Sequence, residues 1–216
     1  MMSEKLLLIV GAGPGISLNT ARKFGKEGFT IAMISRNMDS LQKHVGELKN
    51  DGIAAEGFTG DASSEESLKA AIDQVIKAYG NIDVLLYNAA AGTPGKPTTL
   101  NSDQLVHDFK ISVAGALASV QAVIPHMEDG TILLTGGGLA LYPYADYASL
   151  AIGKAGIRNL AYSLQQELSP KGIYVGTLTI KGFVQEGTYF SAEKIANAFY
   201  RMYVNRTETE VEYGEM

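Results

Sequence analysis

The chain has 216 residues, a formal net charge of −5, 46% hydrophobic and 19% charged residues, and neither Cys nor Trp. That length fits one domain, at most with a small appendage, and the composition supports a sizeable core, so wholesale disorder is excluded. The acidic balance argues against nucleic acid or an anionic membrane as a partner, and the lack of Cys removes disulfides, thiol nucleophiles and cysteine-bound metals.

The opening apolar run, Leu6–Val10, is too short for a signal-peptide core or a membrane span, which makes a soluble, cytoplasmic protein the expectation. Residues 5–10 read as a buried strand, followed by a glycine turn and a helix over 16–27. A second strand, 29–35, leads into a helix over 38–50 with Leu41, Val45 and Leu48 on one face, and a third strand covers 53–59. The next helix opens on a capping box from Ser63 to Glu66 and carries Leu68, Ala71, Ile72, Val75 and Tyr79 at helical spacing. The fourth strand, 82–87, is apolar but for Asp83, as expected when helices cover both faces. One long helix follows over 102–124, then a strand over 131–135, a helix over 147–168, a sixth strand over 173–180 and a last helix over 192–203. The acidic stretch 208–215 either adds an edge strand around Val211 or stays loose.

End-to-end alternation without linker or repeat predicts an α/β fold: a three-layer, doubly wound parallel sheet of Rossmann type, forming a single domain over 1–216. His44, His107 and His126 stand far apart with no metal-ligand spacing, so all three read as structural or surface residues and no metal is expected.

The first strand–helix turn reads Val10-Gly11-Ala12-Gly13-Pro14-Gly15-Ile16-Ser17. Glycines in such a turn let the backbone approach a pyrophosphate, and the helix N-terminus presents N–H groups to it. The GxGxxG spacing fails because its third glycine falls at Ile16; the spacing GxxxGxG fits, with Gly11 and Gly15 in place and Ser17 at the third position. A carboxylate at the end of the second strand would bind ribose hydroxyls and repel a 2′-phosphate. Here that end is Ser35-Arg36-Asn37, so a guanidinium stands where NADP is favoured over NAD, with NAD still possible.

With these motifs the chain resembles the short-chain dehydrogenase/reductase family over residues 5–203. Asp61-Ala62 is similar to the family's adenine-contacting pair, and the segment ending Asn88-Ala89-Ala90 resembles its Asn-Asn-Ala-Gly motif. Pro125-His126-Met127 and the stretch from Lys154-Ala155-Gly156 to Gln166-Glu167-Leu168 also look like family segments. The resemblance implies that Gly11, Pro14, Gly15 and Ile16 hold the pyrophosphate, Ser35 and Arg36 the 2′-phosphate, and Asp61 and Ala62 the adenine. It further implies that Asn88, Ala89 and Ala90 line a ribose, that Lys154 binds the nicotinamide ribose, and that Val184 and Thr188 reach the carboxamide side.

The family's reductase chemistry uses Asn, Ser, Tyr and Lys, and here those positions read Ser112, Gly137, Leu150 and Lys154. Tyr147 lies seven residues before Lys154, two helical turns or about 10.5 Å along an axis. That Tyr-x6-Lys spacing is similar to enoyl-ACP reductases, where the phenol serves the enolate; Tyr147 is therefore a candidate acid or, alternatively, a packing or entrance residue. The backbone N–H groups of Gly136–Gly138 are a candidate oxyanion hole in place of the missing serine, or simply ease a turn. Where relatives carry Pro-Gly this chain has Lys181-Gly182, and only a few residues separate Thr188 from Ser191, the expected N-cap of the last helix, so no substantial lid is expected. Ala114-Gly115-Ala116, Ala148 and Ala151 resemble the family's subunit-contact helices, which implies a homodimer or homotetramer. Two readings stay open: an NAD(P)(H)-dependent oxidoreductase acting on a small-molecule carbonyl or activated C=C, or a catalytically silent nucleotide-binding scaffold or sensor.

Overall fold

Strands covered by helices on both faces must be apolar throughout, and β1 (Leu6–Val10), β4 (Val84–Tyr87) and β5 (Thr131–Thr135) are buried at every position. The computed structural model describes residues 5–214; Glu215, at the end of the acidic stretch, and residues 1–4 lie outside them. Together with β2 (Thr30–Ser35), β3 (Ala55–Thr59), β6 (Tyr174–Ile180) and β7 (Glu210–Tyr213), these strands form one sheet in the order β3-β2-β1-β4-β5-β6-β7. Every pairing is parallel.

Helices α3 (Glu65–Tyr79), α5 (Gly115–Val123) and α6 (Ala148–Leu168) pack on one face through Leu68, Ile72, Val75, Val120, Ile157 and Leu164. Helices α1 (Ile16–Lys26), α2 (Met38–Asn50) and α7 (Ala192–Asn205) cover the other through Leu18, Phe24, Leu41, Ile195, Phe199 and Met202. At roughly 1.5–3 kcal/mol per fully buried aliphatic or aromatic side chain, these two layers are the main term holding the sheet. The acidic stretch takes the strand option: β7 extends the sheet beside β6, with Leu178 opposite Val211. Glu210, its side chain 5% exposed, locks it there through Arg158 at 2.7 Å, Thr179 Oγ1 at 2.6 Å and Tyr162 at 3.0 Å. Burial raises the Glu210 pKa, and the bonds from Arg158, Thr179 and Tyr162 outweigh it and hold the carboxyl below its ordinary range.

Local details differ from the sequence expectation in two places. The cap of α3 is Ser64, whose hydroxyl accepts from Ser67 N at 3.2 Å, whereas Ser63 turns its hydroxyl to Asp61 Oδ1 at 2.8 Å. The single helix expected over 102–124 is broken into α4 (Ser102–Phe109), a π-helical turn at Lys110–Ala114, and α5. Tertiary hydrogen bonds drive the break: the Tyr87 hydroxyl takes the Ile111 carbonyl, and Ser112 Oγ accepts from Ala91 N at 3.1 Å and donates to Ala91 O at 3.2 Å. The connection between β6 and α7, residues 181–191, is irregular.

Candidate active site

Parallel strands deliver their carboxyl ends to one edge of the sheet, and a crevice opens where the strand order reverses, here between β1 and β4. The β1–α1 turn lies at that crevice. Gly11 holds φ +86°, and a Cβ there would stand 2.6 Å from Ala89 Cα, so only glycine fits against the segment after β4. Gly13 and Gly15 face open space where a Cβ would go, and no side chain caps α1. This open, uncapped helix start fits a pyrophosphate: it leaves a cradle that side chains would fill and presents the positive end of the helix.

Two cavities flank the turn. The first, about 380 Å³, gathers Gly11, Pro14, Ser35, Arg36, Asp61, Ala62, Asn88, Ala89 and Ala90 from the ends of four strands. Arg36 is exposed and makes no ion pair among the described residues, so its guanidinium is available to an anion in that cavity. Asp61 sits across from it. The Ser63 backbone N–H at 2.9 Å is the main influence holding its carboxyl below the usual range; burial opposes this, and the Ser63 hydroxyl and Arg36 charge assist. Among the wall residues that sequence reasoning missed are Ser40 and the buried His44, which stand one turn apart on α2. Among the described residues no group of three or more His, Cys, Asp or Glu could hold a metal.

The second cavity, about 420 Å³, is lined by Ile16, Thr135, Gly136–Gly138, Tyr142, Tyr144, Tyr147, Leu150, Lys154 and Val184, among others. It brings together three candidates that are far apart in sequence: Ile16, Lys154 and Val184. Among the described residues no carboxylate and no imidazole stands on its wall. Lys154 directs Nζ to Thr135 O at 2.7 Å, and burial pushes its pKa down to about 8. A Cβ at Gly137 would contact the Lys154 methylenes at 3.4 Å, so the glycine leaves that stem open to the cavity.

A hydrogen-bond chain joins the two cavities. Thr135 Oγ1 donates to Asn88 Oδ1 at 2.8 Å, Asn88 Nδ2 donates to Ser17 Oγ at 2.8 Å, and Ser17 Oγ donates to Gly11 O at 2.9 Å. Ser17, at the third glycine position, thus ties the β1–α1 turn to Asn88, and Thr135 ties Asn88 to the strand carrying the lysine's acceptor. The one signal for this in the sequence is a hydroxyl where the turn pattern has glycine.

Tyr147 lines the second cavity, but not as the Tyr-x6-Lys spacing supposed. It is the N-cap of α6, with φ −123° and ψ 36°, so it precedes the helix that carries Lys154 rather than lying within it. It is 43% exposed, and among the described residues no hydrogen bond joins its hydroxyl to Lys154. Burial alone accounts for the Lys154 shift. A bridge between Gly95 and Tyr147 fixes that cap, with Gly95 N on Asp146 O at 2.9 Å. The buried Asp108 ties the segment after β4 to the first turn of α6: its Oδ2 accepts from Ser149 Oγ at 2.5 Å and Thr93 N at 2.6 Å. Burial raises this carboxyl's pKa, and those two bonds outweigh it and keep it below the usual range.

Three candidates line neither cavity: Gly15, at the open start of α1, Ser112 and Thr188. Ser112 is buried at 3% exposure with its hydroxyl committed to Ala91, so it braces the segment after β4. Thr188 spends its hydroxyl on Gln185 O at 2.8 Å and on Phe190 N at 3.1 Å, which closes a local turn away from the crevice. Ser191 occupies the N-cap position of α7 without a side-chain capping bond.

A family model described as short chain dehydrogenase matches residues 5–192. Among curated proteins, the chain is 31% identical over 192 residues to the protein named "Putative ketoacyl reductase" of Streptomyces coelicolor, covering 84% of this chain and 71% of that one. It is 28% identical over 169 residues to Tropinone reductase-like 3 of Erythroxylum coca, covering 77% and 65%. The chain thus spans about two thirds of the length of such relatives. Among solved structures, an actinorhodin polyketide ketoreductase with NADPH superposes with a TM-score of 0.90 at 21% identity, covering 98% of this chain and 97% of that one. A metagenomic short-chain oxidoreductase in complex with NADP gives 0.87 at 22% identity, covering 97% and 96%.

Proposed function

Because the chain belongs to the short-chain dehydrogenase family, we propose that it is an NAD(P)(H)-dependent oxidoreductase with a preference for NADP(H), acting on a small-molecule carbonyl or activated C=C. The observation that carries this reading is the pair of cavities on either side of the open β1–α1 turn, one carrying a guanidinium without an ion pair among the described residues and the other a half-buried lysine. A ketoreductase and an oxidoreductase of the same fold are described with NADPH and NADP, which supports the cofactor class.

When bound, the nicotinamide supplies or accepts hydride. Gly11, Pro14, Gly15 and Ile16 would hold the pyrophosphate through backbone N–H groups and the helix dipole. Arg36 and Ser35 would take the 2′-phosphate, Asp61 and Ala62 the adenine, and Asn88, Ala89 and Ala90 a ribose. Lys154 would face the nicotinamide ribose and Val184 the ring. Tyr147, with Tyr142 and Tyr144, forms the entrance and narrows access of water to the reacting carbon. Ser112 acts at one remove, by fixing Ala91. Subunit contacts fall on the α4–α6 face, where Val106, Phe109, Leu117 and Ile152 are exposed. Among the described residues no helix is long and apolar enough to cross a membrane.

A titration with NADPH and NADH, read by nicotinamide fluorescence, tests the cofactor assignment, and a turnover screen of ketones, enones and enoyl thioesters tests the reaction. Tight, NADPH-selective binding with turnover is the expected result; binding of neither nucleotide overturns the reading. Leu150 and Gly137 favour a second reading, a nucleotide-binding scaffold without turnover. Selective binding with no turnover across the screen would establish it.

A further inference from the structure

We propose that Lys154 itself exchanges the proton with the substrate oxygen, with no tyrosine acting as an intermediary; the proposal rests on the oxidoreductase reading above. The wall of the second cavity carries five titratable side chains: Tyr142, Tyr144 and Tyr147 from the segment before α6, Lys154 on α6, and Lys181 after β6. Their positions separate them. Tyr142 and Tyr144 are 70% and 60% exposed, and Tyr147 is 43% exposed at the helix cap, so all three belong to the mouth. Lys181 is paired with Glu212 at 3.0 Å, and the residue is exposed. Lys154 alone reaches inward: its ammonium is anchored on Thr135 O at 2.7 Å, at the end of β5.

The residues around it clear the way to that ammonium. Leu150, one helical turn before Lys154, offers no proton, and Gly137 projects no side chain over the lysine stem. Among the described residues the single protein acceptor of Nζ is the Thr135 carbonyl, which orients the group and leaves further N–H bonds for a ligand. Burial with no carboxylate on the wall also suits this ammonium to acid–base work. A pKa of about 8 places it near the operating pH, where an acid both holds and releases its proton effectively.

The step balances on a carbonyl substrate. As hydride supplied by a reduced nicotinamide arrives at the carbonyl carbon, the C=O π pair moves onto oxygen and an O–H bond forms at the expense of one Lys154 N–H bond. Lys154 is left as the neutral amine and is reprotonated by solvent through the open mouth. In the reverse direction the neutral amine accepts the hydroxyl proton as hydride leaves the carbon.

Two readouts on the full chain test this. The first is a lysine side-chain NMR titration of the nucleotide-free protein, with Lys154 assigned through its backbone; a midpoint near 8 is expected, against about 10.4 for solvated lysines. A midpoint shared with the solvated lysines overturns the proposal. The second is the pH profile of kcat. Reduction should fall tenfold per pH unit above about 8, while oxidation should rise to a plateau over the same range. Lys154→Arg keeps the positive charge and removes the titration, so at saturating NADPH it should cut kcat by roughly 10²-fold or more and abolish the limb near 8. A limb that persists in Lys154→Arg, or that disappears in Tyr147→Phe with a comparable loss of kcat, assigns the proton elsewhere and overturns the proposal alone. Turnover in neither direction fails the oxidoreductase reading and the proposal with it.

Discussion

The proposed preference for NADP(H) rests on Arg36. It stands at the carboxyl end of β2 on the wall of the first cavity, with Ser35 beside it and no carboxylate bonded to it among the described residues. Replacing it with Ala removes a cation from the position a 2′-phosphate would occupy. A charge-assisted Arg–phosphate contact contributes about 1.5–3 kcal/mol, or roughly 10- to 150-fold in Kd. Because Arg36 is exposed, screening by salt moves the expectation to the lower end, about tenfold at physiological ionic strength. NADH lacks that phosphate, so its Kd should move by less than about threefold, the scale of a lost surface contact. Nicotinamide fluorescence reads both titrations, and the absence of Trp keeps the signal clean. Raising salt in the wild type should shrink NADPH selectivity toward that of Arg36→Ala. Equal losses for the two nucleotides, or selectivity indifferent to salt, would refute the assignment of Arg36 to the phosphate.

Gly11→Ala forces a Cβ against Ala89 at a φ of +86° and should cost about 1–3 kcal/mol, seen as a Tm lowered by several degrees; an unchanged Tm would show that the turn relaxes freely. Asp108→Ala strips Ser149 Oγ and Thr93 N of their shared acceptor and should cost about 2–3 kcal/mol in denaturant unfolding. The sign of its pH dependence follows from the lowered folded pKa. The stabilisation is fully present above the unfolded value of about 4 and fades as pH falls through the folded one, so wild type and variant should converge in acid. A gap that persists unchanged at low pH would remove the carboxylate from the account.

The layer order was legible because strands buried on both faces leave a trace: 82–87 and 131–135 read as central strands from their apolar runs, Val84–Tyr87 and Ile132-Leu133-Leu134. Helix interruptions left no such trace. The π turn around Ser112 exists because Tyr87 and Ala91, distant in sequence, compete for backbone and hydroxyl groups there, and a periodicity count sees only a continuous apolar stripe. Choosing Ser63 over Ser64 as the cap failed for a similar reason: Asp61 offers the Ser63 hydroxyl a charged acceptor, which leaves the helix N–H to Ser64.

In the sequence, Ser112, Gly137 and Leu150 read as separate departures from the family's catalytic positions, and Ser17 as a serine at the third glycine position of the turn. In space they fall into two kinds. Ser17 and Ser112 bring polar groups that find partners, one on Gly11 and Asn88, the other on Ala91, and both stiffen the segment after β4 against the glycine turn. Gly137 and Leu150 withdraw polar groups, and both line the second cavity with Lys154. Polar side chains thus stand where they fix the backbone beside the glycine turn, and side chains without donors stand around one cation held by Thr135 O. That distribution is the physical reason to place the remaining acid–base chemistry on Lys154, because every other titratable group of the cavity stands at its mouth or in an ion pair.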